Sequence, residues 1–307
     1  MTATHAPPAR TGLVGLGQMG APMARNLARA GFALALADLD RARVHALAAE
    51  LGADTPANLR ALGAACSVVI TMLPDGKTVR DAALGENGLA TGLASGSIVI
   101  DMSSSSPVGT RELGAALAER GVALVDAPVS GGVKRAIDAS LAIMAGGETA
   151  AIERVRPVLA ALGKTIFLTG PLGSGHAMKA LNNYVSAAGF AAAIEAVLAG
   201  SRFGLDPATT VAVLNASTGR NNSTENKLPQ FVLPRDFSSG FSLGLMVKDL
   251  RTALELAHAT ATPVPLAETC LAAWAEAERE LGGTADHTAV VKYWERLAGG
   301  EIPRPER

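Results

Sequence analysis

The chain has 307 residues, enough for two domains with sizeable cores; 49% are hydrophobic but only 4% aromatic, so Ala, Leu and Val must build those cores. Its 27 basic and 28 acidic residues leave a formal net charge of −1, which argues against binding nucleic acid or an anionic membrane by bulk electrostatics. Two cysteines far apart, Cys66 and Cys270, and five histidines without HxH or HxxxH clustering suggest neither a disulfide framework nor a metal site, and fit a reducing cytoplasm.

Met1 to Arg10 is Ala- and Pro-rich without an apolar stretch and reads as a loose tail rather than a signal peptide. No uninterrupted apolar run reaches the ~18 residues of a membrane span. From residue 11 to about 170, short apolar runs alternate with amphipathic stretches. The runs are Thr11–Leu16, Phe32–Ala37, Ser67–Leu73, Ser97–Asp101, Val122–Val125, Leu141–Ala145 and Thr165–Leu168. Helical spacing appears in Met23–Ala30, Arg41–Leu51, Pro107–Arg120 and Thr149–Leu162. This alternation predicts βαβ units and a largely parallel sheet. After Gly175 the strand-like runs stop. A long Ala-rich helix is expected over about 176–203, followed by Pro207–Asn215, Leu243–Ala259, Pro265–Glu280 and Thr288–Leu297, the last capped by Asp286. The breakers in TGPLGSG divide the chain into an α/β domain, 11–172, and a helical domain, 173–307.

Gly15-Leu16-Gly17-Gln18-Met19-Gly20 directly follows the first strand and opens a helix. In that context the first glycine makes the turn and the second admits a pyrophosphate to the backbone. The third lets helix and strand approach, and the helix N-terminus faces the phosphates. Asp38 ends the second strand, where a carboxylate can accept from an adenosine ribose hydroxyl. Its acceptor-only oxygens favour NAD over NADP, with Arg41 and Arg43 as opposing charges. Further on, Lys179 and Asn183 are four residues apart in an apolar helical setting and so share one face. A partly desolvated lysine can act as general acid or base. Taken alone, a lysine on an Ala-rich helix is usually a solvated surface residue, and a helical asparagine often is too.

The pieces GLVGLGQMGAPMARNL, TMLPD (71–75), IDMSSSSP (100–107), DAPVSGG (126–132), GSGHAMKALNN (173–183) and FSLGLMVKDL (241–250) occur in this order. Together they resemble the β-hydroxyacid dehydrogenases, the 3-hydroxyisobutyrate dehydrogenase-like enzymes, over essentially the whole chain. The resemblance implies an α/β Rossmann-type N-terminal domain, a long interdomain helix and an all-helical C-terminal domain, assembled as a homodimer or homotetramer. It implies that Lys179 is the catalytic lysine and Asn183 the asparagine that orients substrate. Ser130, Gly131 and Gly132 would hold the substrate carboxylate, while Leu73, Pro74, Ser104 and Lys248 would contact the cofactor. Ser104 departs from the Thr of many relatives but keeps the hydroxyl.

The segment 217–227 resembles the one that approaches substrate from the helical domain. After Gly219-Arg220, Asn221 and Asn222 follow where several 3-hydroxyisobutyrate enzymes carry Trp; with Arg220 they favour a substrate with an extra polar group, although the Asn run can serve merely as a cap or turn. The implied activity is NAD-dependent interconversion of a small 3-hydroxy acid and its aldehyde or keto acid. Candidate substrates are of the glycerate, threonate, serine or sulfolactate type, or 3-hydroxyisobutyrate. Two alternatives are an imine reductase-like enzyme, in which the position of Lys179 is typically Asp or Tyr, and a non-catalytic dinucleotide-binding module.

Overall fold

The computed structural model describes residues 10–304, so the expected tail over Met1 to Arg10 lies, but for Arg10, outside the described residues. The chain forms two compact units, one ending at Lys179 and the other beginning at Ala180.

The first unit is built on strands β1 (Thr11–Val14), β2 (Leu34–Ala37), β3 (Val68–Thr71), β4 (Ile98–Asp101), β5 (Ala123–Asp126), β6 (Val129–Ser130), β7 (Leu141–Gly146) and β8 (Gly163–Gly170). Their order is β2-β1-β3-β4-β5-β7-β6, with β8 paired to β7. The five strands from β2 to β5 run parallel, whereas β7 is antiparallel to both β5 and β6. Parallel strands are covered on both faces, and β1, β3 and β4 are accordingly buried at every residue. The helices between strands are α1 (Gly20–Arg29), α2 (Arg41–Leu51), α3 (Leu59–Ala65), α4 (Gly76–Leu84), α5 (Pro107–Ala118), α6 (Gly132–Ile137) and α7 (Thr149–Ala160). Several start on a side-chain cap: Asp40 accepts from Arg43 N, Asn58 from Ala61 N, Asp75 from Thr78 N and Ser106 from Gly109 N. Because β1 lies between β2 and β3, the chain reverses its winding there. The carboxyl ends of β1 and β3 thus flank the crevice at which α/β sheets bind ligands.

Helix α8 (Ser174–Phe203) begins in this unit, two residues before its expected start at His176, and continues past Ala180. By length and composition it is apolar enough to cross a membrane, although Lys, Asn and Glu interrupt its apolar residues. Ala187, Phe190, Ile194 and Val197 are instead fully buried in the core of the second unit. That unit adds α9 (Pro207–Ala216), a π-helical segment Ser223–Val232, α10 (Leu243–Ala259), α11 (Pro265–Leu281), a short 3-10 turn His287–Val290 and α12 (Val291–Ala298). Asp286 caps as expected, accepting from Thr288 N, but it heads the 3-10 turn that leads into α12. Both tryptophans lie in this core, Trp274 at 6.2 Å from Phe190 and 6.3 Å from Trp294 between ring centroids. The scarce aromatics are thus concentrated in the helical unit, where they fill volume between helices.

Candidate active site

The glycine loop sits between β1 and α1. At Gly15, where φ is +96°, a Cβ would lie 2.2 Å from the Met72 carbonyl oxygen; at Gly20 it would lie 1.9 Å from that of Gly15. Both glycines are therefore imposed by the chain's own close approaches. Gly17 is different: it is exposed and a Cβ there would meet nothing within 4 Å. Its lack of a side chain has no internal cause, and fits a backbone that must admit a pyrophosphate. Gln18 is exposed beside it, and Leu16 and Met19 flank the turn.

Asp38 follows β2 and is tied into the same loop, its Oδ2 accepting from Leu16 N at 2.6 Å and its Oδ1 from Asp40 N at 2.9 Å. Arg43, not Arg41, is the cation nearest to it, at 3.7 Å from Asp38 and 3.2 Å from Asp40. Arg41 is turned to the Ala57 carbonyl at 2.7 Å.

Leu73 and Pro74 follow β3, and Ser104 follows β4. Ser103 joins the two loops, its Oγ accepting from Leu73 N at 2.9 Å. Ser130 ends β6, and Gly131 and Gly132, at φ +128° and +66°, turn the chain into α6. Lys179 is partly buried on α8.

In the helical unit, Asn183 is 7% exposed and its Nδ2 donates to Asp249 Oδ2 at 2.5 Å. Asp249 is 3% exposed on α10, with Lys248 Nζ 3.4 Å from its Oδ1. An ionised carboxylate can only accept, so it fixes the amide group of Asn183 and leaves its Oδ1 turned to a donor, Asn182 Nδ2 at 3.1 Å. The segment 217–227 is occupied with itself. Arg220 is exposed and paired with Glu225 at 2.6 Å, and Asn222 is exposed. Asn221 Oδ1 accepts from Ser223 N at 2.8 Å and Thr224 N at 3.2 Å, the capping role that the sequence left open.

Two families match the chain in succession. One, described as the NAD binding domain of 6-phosphogluconate dehydrogenase, covers residues 10–170. The other, described as NAD-binding of NADP-dependent 3-hydroxyisobutyrate dehydrogenase, covers 173–294. The 2-(hydroxymethyl)glutarate dehydrogenase of Eubacterium barkeri is 37% identical, over 95% of this chain and 97% of its own length. The chain belongs to the β-hydroxyacid dehydrogenase family. Another relative of this β-hydroxyacid dehydrogenase is the NAD-dependent L-serine dehydrogenase of Pseudomonas aeruginosa, 36% identical over 93% of this chain and 98% of that one. Among solved structures, the Mycobacterium tuberculosis 3-hydroxyisobutyrate dehydrogenase with L-serine superposes with a TM-score of 0.86 at 32% identity, covering 94% of this chain and 99% of that chain. The chain is thus an oxidoreductase that acts on a CH–OH group with a nicotinamide dinucleotide. The imine reductase-like and non-catalytic alternatives gain nothing from these relatives.

Reasoning from sequence missed several side chains of this β-hydroxyacid dehydrogenase. Asp249 was passed over beside Lys248, although a carboxylate between Val247 and Leu250, both fully buried, signals a buried acceptor. Lys227, 8% exposed, donates to Ser186 at 2.9 Å and lies 5.0 Å from the Phe190 ring centroid. Burial pulls its ammonium down to about 8, against an opposing attraction from Asp286. Asp101, Asp126 and His176 lie within the motifs quoted above, but nothing in those motifs signals that all three are nearly inaccessible.

Proposed function

We propose that this enzyme oxidises a small β-hydroxy carboxylate of the form HOCH2–CHR–COO⁻ to its aldehyde, and catalyses the reverse reduction, with Lys179 as general acid/base. The observation that carries this reading is the four-residue spacing of Lys179 and Asn183 along the single helix α8, with the Asn183 amide held by buried Asp249. The printed names of the three relatives share the same chemistry: 2-(hydroxymethyl)glutarate, serine and 3-hydroxyisobutyrate each carry a hydroxymethyl group on the carbon next to a carboxylate.

When bound, a nicotinamide dinucleotide would provide the hydride acceptor or donor for the alcohol carbon. Lys179, as the neutral amine, takes the hydroxyl proton during oxidation and returns it during reduction. Asn183 orients the hydroxyl or the lysine. Ser130, Gly131 and Gly132 receive the carboxylate through a hydroxyl and turn N–H groups. The loop Gly15–Gly20, Asp38, Leu73, Pro74, Ser104 and Lys248 hold the dinucleotide, residues 11–172 forming its domain and 173–307 the helical substrate domain. R is polar rather than methyl, a reading supported by the polar run Arg220, Asn221 and Asn222, of which Arg220 is paired with Glu225 and Asn221 Oδ1 is engaged by Ser223 N and Thr224 N. The working setting is the cytoplasm, and the assembly a homodimer or homotetramer.

The preferred cofactor is NAD. Supporting this reading, Asp38 follows β2 with an acceptor-only carboxylate tied to Leu16 N, and Arg41 is engaged with Ala57; Arg43, 3.7 Å from Asp38, is the opposing charge. At an effective dielectric of 20, two like charges about 4 Å apart repel by roughly 4 kcal/mol, more than the ~1.4 kcal/mol of a tenfold preference.

The test is turnover of 3-hydroxyisobutyrate, glycerate and serine, which have the HOCH2–CHR–COO⁻ form, and of threonate and sulfolactate, which do not, with NAD and NADP, for the wild type and Lys179→Ala. Lys179→Ala is expected to lower kcat by roughly 10²–10⁴-fold with little change in dinucleotide affinity. Near wild-type turnover would remove Lys179 from the mechanism. Wild-type kcat/KM should favour NAD by at least about tenfold and Asp38→Asn should narrow that ratio. Equal or better use of NADP by the unmodified enzyme would overturn the cofactor assignment.

A further inference from the structure

Beneath the loops assigned to the cofactor, the carboxyl ends of β3, β4 and β5 carry a buried polar network that the chemistry above does not use. Thr71, Asp101 and Asp126 are the last residues of these strands and are neighbours in register. Asp101 accepts from Thr71 Oγ1 at 2.9 Å, Ser103 N at 3.0 Å and Ser105 Oγ at 2.6 Å. It thereby fixes the serine loop on both sides of Ser104, and Ser103 in turn holds Leu73 N.

Asp126 reaches the other way, to the first turn of α8. Its Oδ1 accepts from Gly173 N and its Oδ2 from His176 N, both at 2.8 Å, satisfying N–H groups that a helix start leaves without partners. At Gly175 a Cβ would lie 2.2 Å from the Met144 carbonyl oxygen, so this turn is pressed against the sheet.

His176, 1% exposed, closes the circuit. Its Nε2 is 3.1 Å from the Ser103 carbonyl oxygen and its Nδ1 is 2.8 Å from Thr110 Oγ1. A carbonyl can only accept, so Nε2 donates to Ser103, while the Thr110 hydroxyl is shared between Nδ1 and the Ser106 carbonyl oxygen, 2.8 Å away. The ring thus ties the loop that bears Ser103, Ser104 and Ser105 directly to α8, three residues before Lys179.

We propose that His176 is a positioning residue: through Ser103 it holds the cofactor loops in fixed register with Lys179, so that the hydride and proton paths are aligned together. This rests on the reading of Lys179 as acid/base and of Leu73 and Ser104 as cofactor contacts. Misplacement of reacting groups by about 1 Å can cost on the order of 10² in rate, so the role should show in kcat more than in binding.

The experiment compares His176→Ala, His176→Gln, Thr110→Val and Lys179→Ala in the full chain. It measures kcat, KM for the hydroxy acid that the wild type uses best, dinucleotide affinity without substrate, and Tm. Glutamine can donate to the Ser103 carbonyl, as the ring does, and keeps a polar atom toward Thr110. We expect His176→Ala to lower kcat by about 10- to 100-fold with KM and dinucleotide affinity within about threefold, and His176→Gln to recover kcat to within about threefold of wild type. Should the alanine variant melt below the assay temperature, Thr110→Val takes its place, with an expected drop in kcat of about three- to tenfold. The proposal is overturned if His176→Ala keeps kcat within about twofold, if His176→Gln is as slow as alanine while melting like the wild type, or if a folded Thr110→Val is unaltered. Wild-type turnover by Lys179→Ala would instead sink the acid/base reading, an outcome that the histidine variants cannot mimic.

Discussion

At the strand ends of the first unit, the buried carboxylates of Asp101 and Asp126 are surrounded by backbone N–H groups and hydroxyls fixed by the fold itself. In the helical unit, buried Lys227 has one hydroxyl, Ser186, and the face of Phe190, and the π-helical segment that carries it leaves Ser223 Oγ buried without a hydrogen-bond partner. His287 in the same unit is held down to about 4, by burial first and the Lys227 charge second, against Asp286. The difference is one of purpose. Donors on the backbone cannot turn away, so a carboxylate that collects them becomes a fixed point between strands and helix. A cation in an apolar setting carries an unrecovered desolvation cost and responds to pH instead.

Breaking the first cluster should produce the largest effect on stability. Asp101→Ala leaves Ser103 N and two hydroxyls buried with no acceptor, and an unfolding free energy lower by about 2–4 kcal/mol is expected from denaturant titration. A change below about 0.5 kcal/mol would show that the network contributes nothing to the fold.

The second cluster is tested by pH. Lys227 has a pKa of about 8 when folded against an ordinary 10.5, so between these values the unfolded chain binds more protons. Stability should therefore rise as pH increases from about 8 to 10.5, by on the order of 2 kcal/mol once residual solvation is allowed for. Lys227→Met should lack this rise, as denaturation at pH 7.5 and pH 10 will show. Parallel pH profiles for variant and wild type would remove Lys227 as the cause.

The smallest effect is expected where the clusters converge in style, at Asp249, a carboxylate holding a side-chain amide. Asp249→Asn should cut kcat by about tenfold, equivalent to ~1.4 kcal/mol, with Tm nearly unchanged. An unaltered kcat would mean that Asn183 needs no such anchor.

Much of the first unit was legible in the sequence because its strands are short apolar runs between capped helices, and α2 matches its expected bounds, Arg41–Leu51. What escaped was short or unusual. The seven residues Leu59–Ala65 are too few to show a helical period, and Asp75 was seen as part of TMLPD rather than as the cap of α4. Ser223–Val232 contains Pro229 and reads as a loop, yet it winds as a π-helix, a form that local propensity does not announce. The candidate site divides in the same way. Lys179 and Asn183 are visible because they lie one turn apart in sequence. Asn183 and Asp249 are 66 residues apart, and Asp126 and His176 are 50 apart, so their meeting depends on tertiary packing.

The open position at Gly17 separates two properties that are normally entangled in a ligand-binding protein. Because neither a close neighbour nor a left-handed backbone demands glycine there, Gly17→Ala should leave the empty protein's folding equilibrium intact. A methyl in that space would act only on the complex, and thermodynamic linkage then makes the dinucleotide's own contribution to stability a separable quantity. The enzyme could be kept whole in the cell and denied its cofactor by one methyl group, distinguishing what the protein does by turning over from what it does by being present.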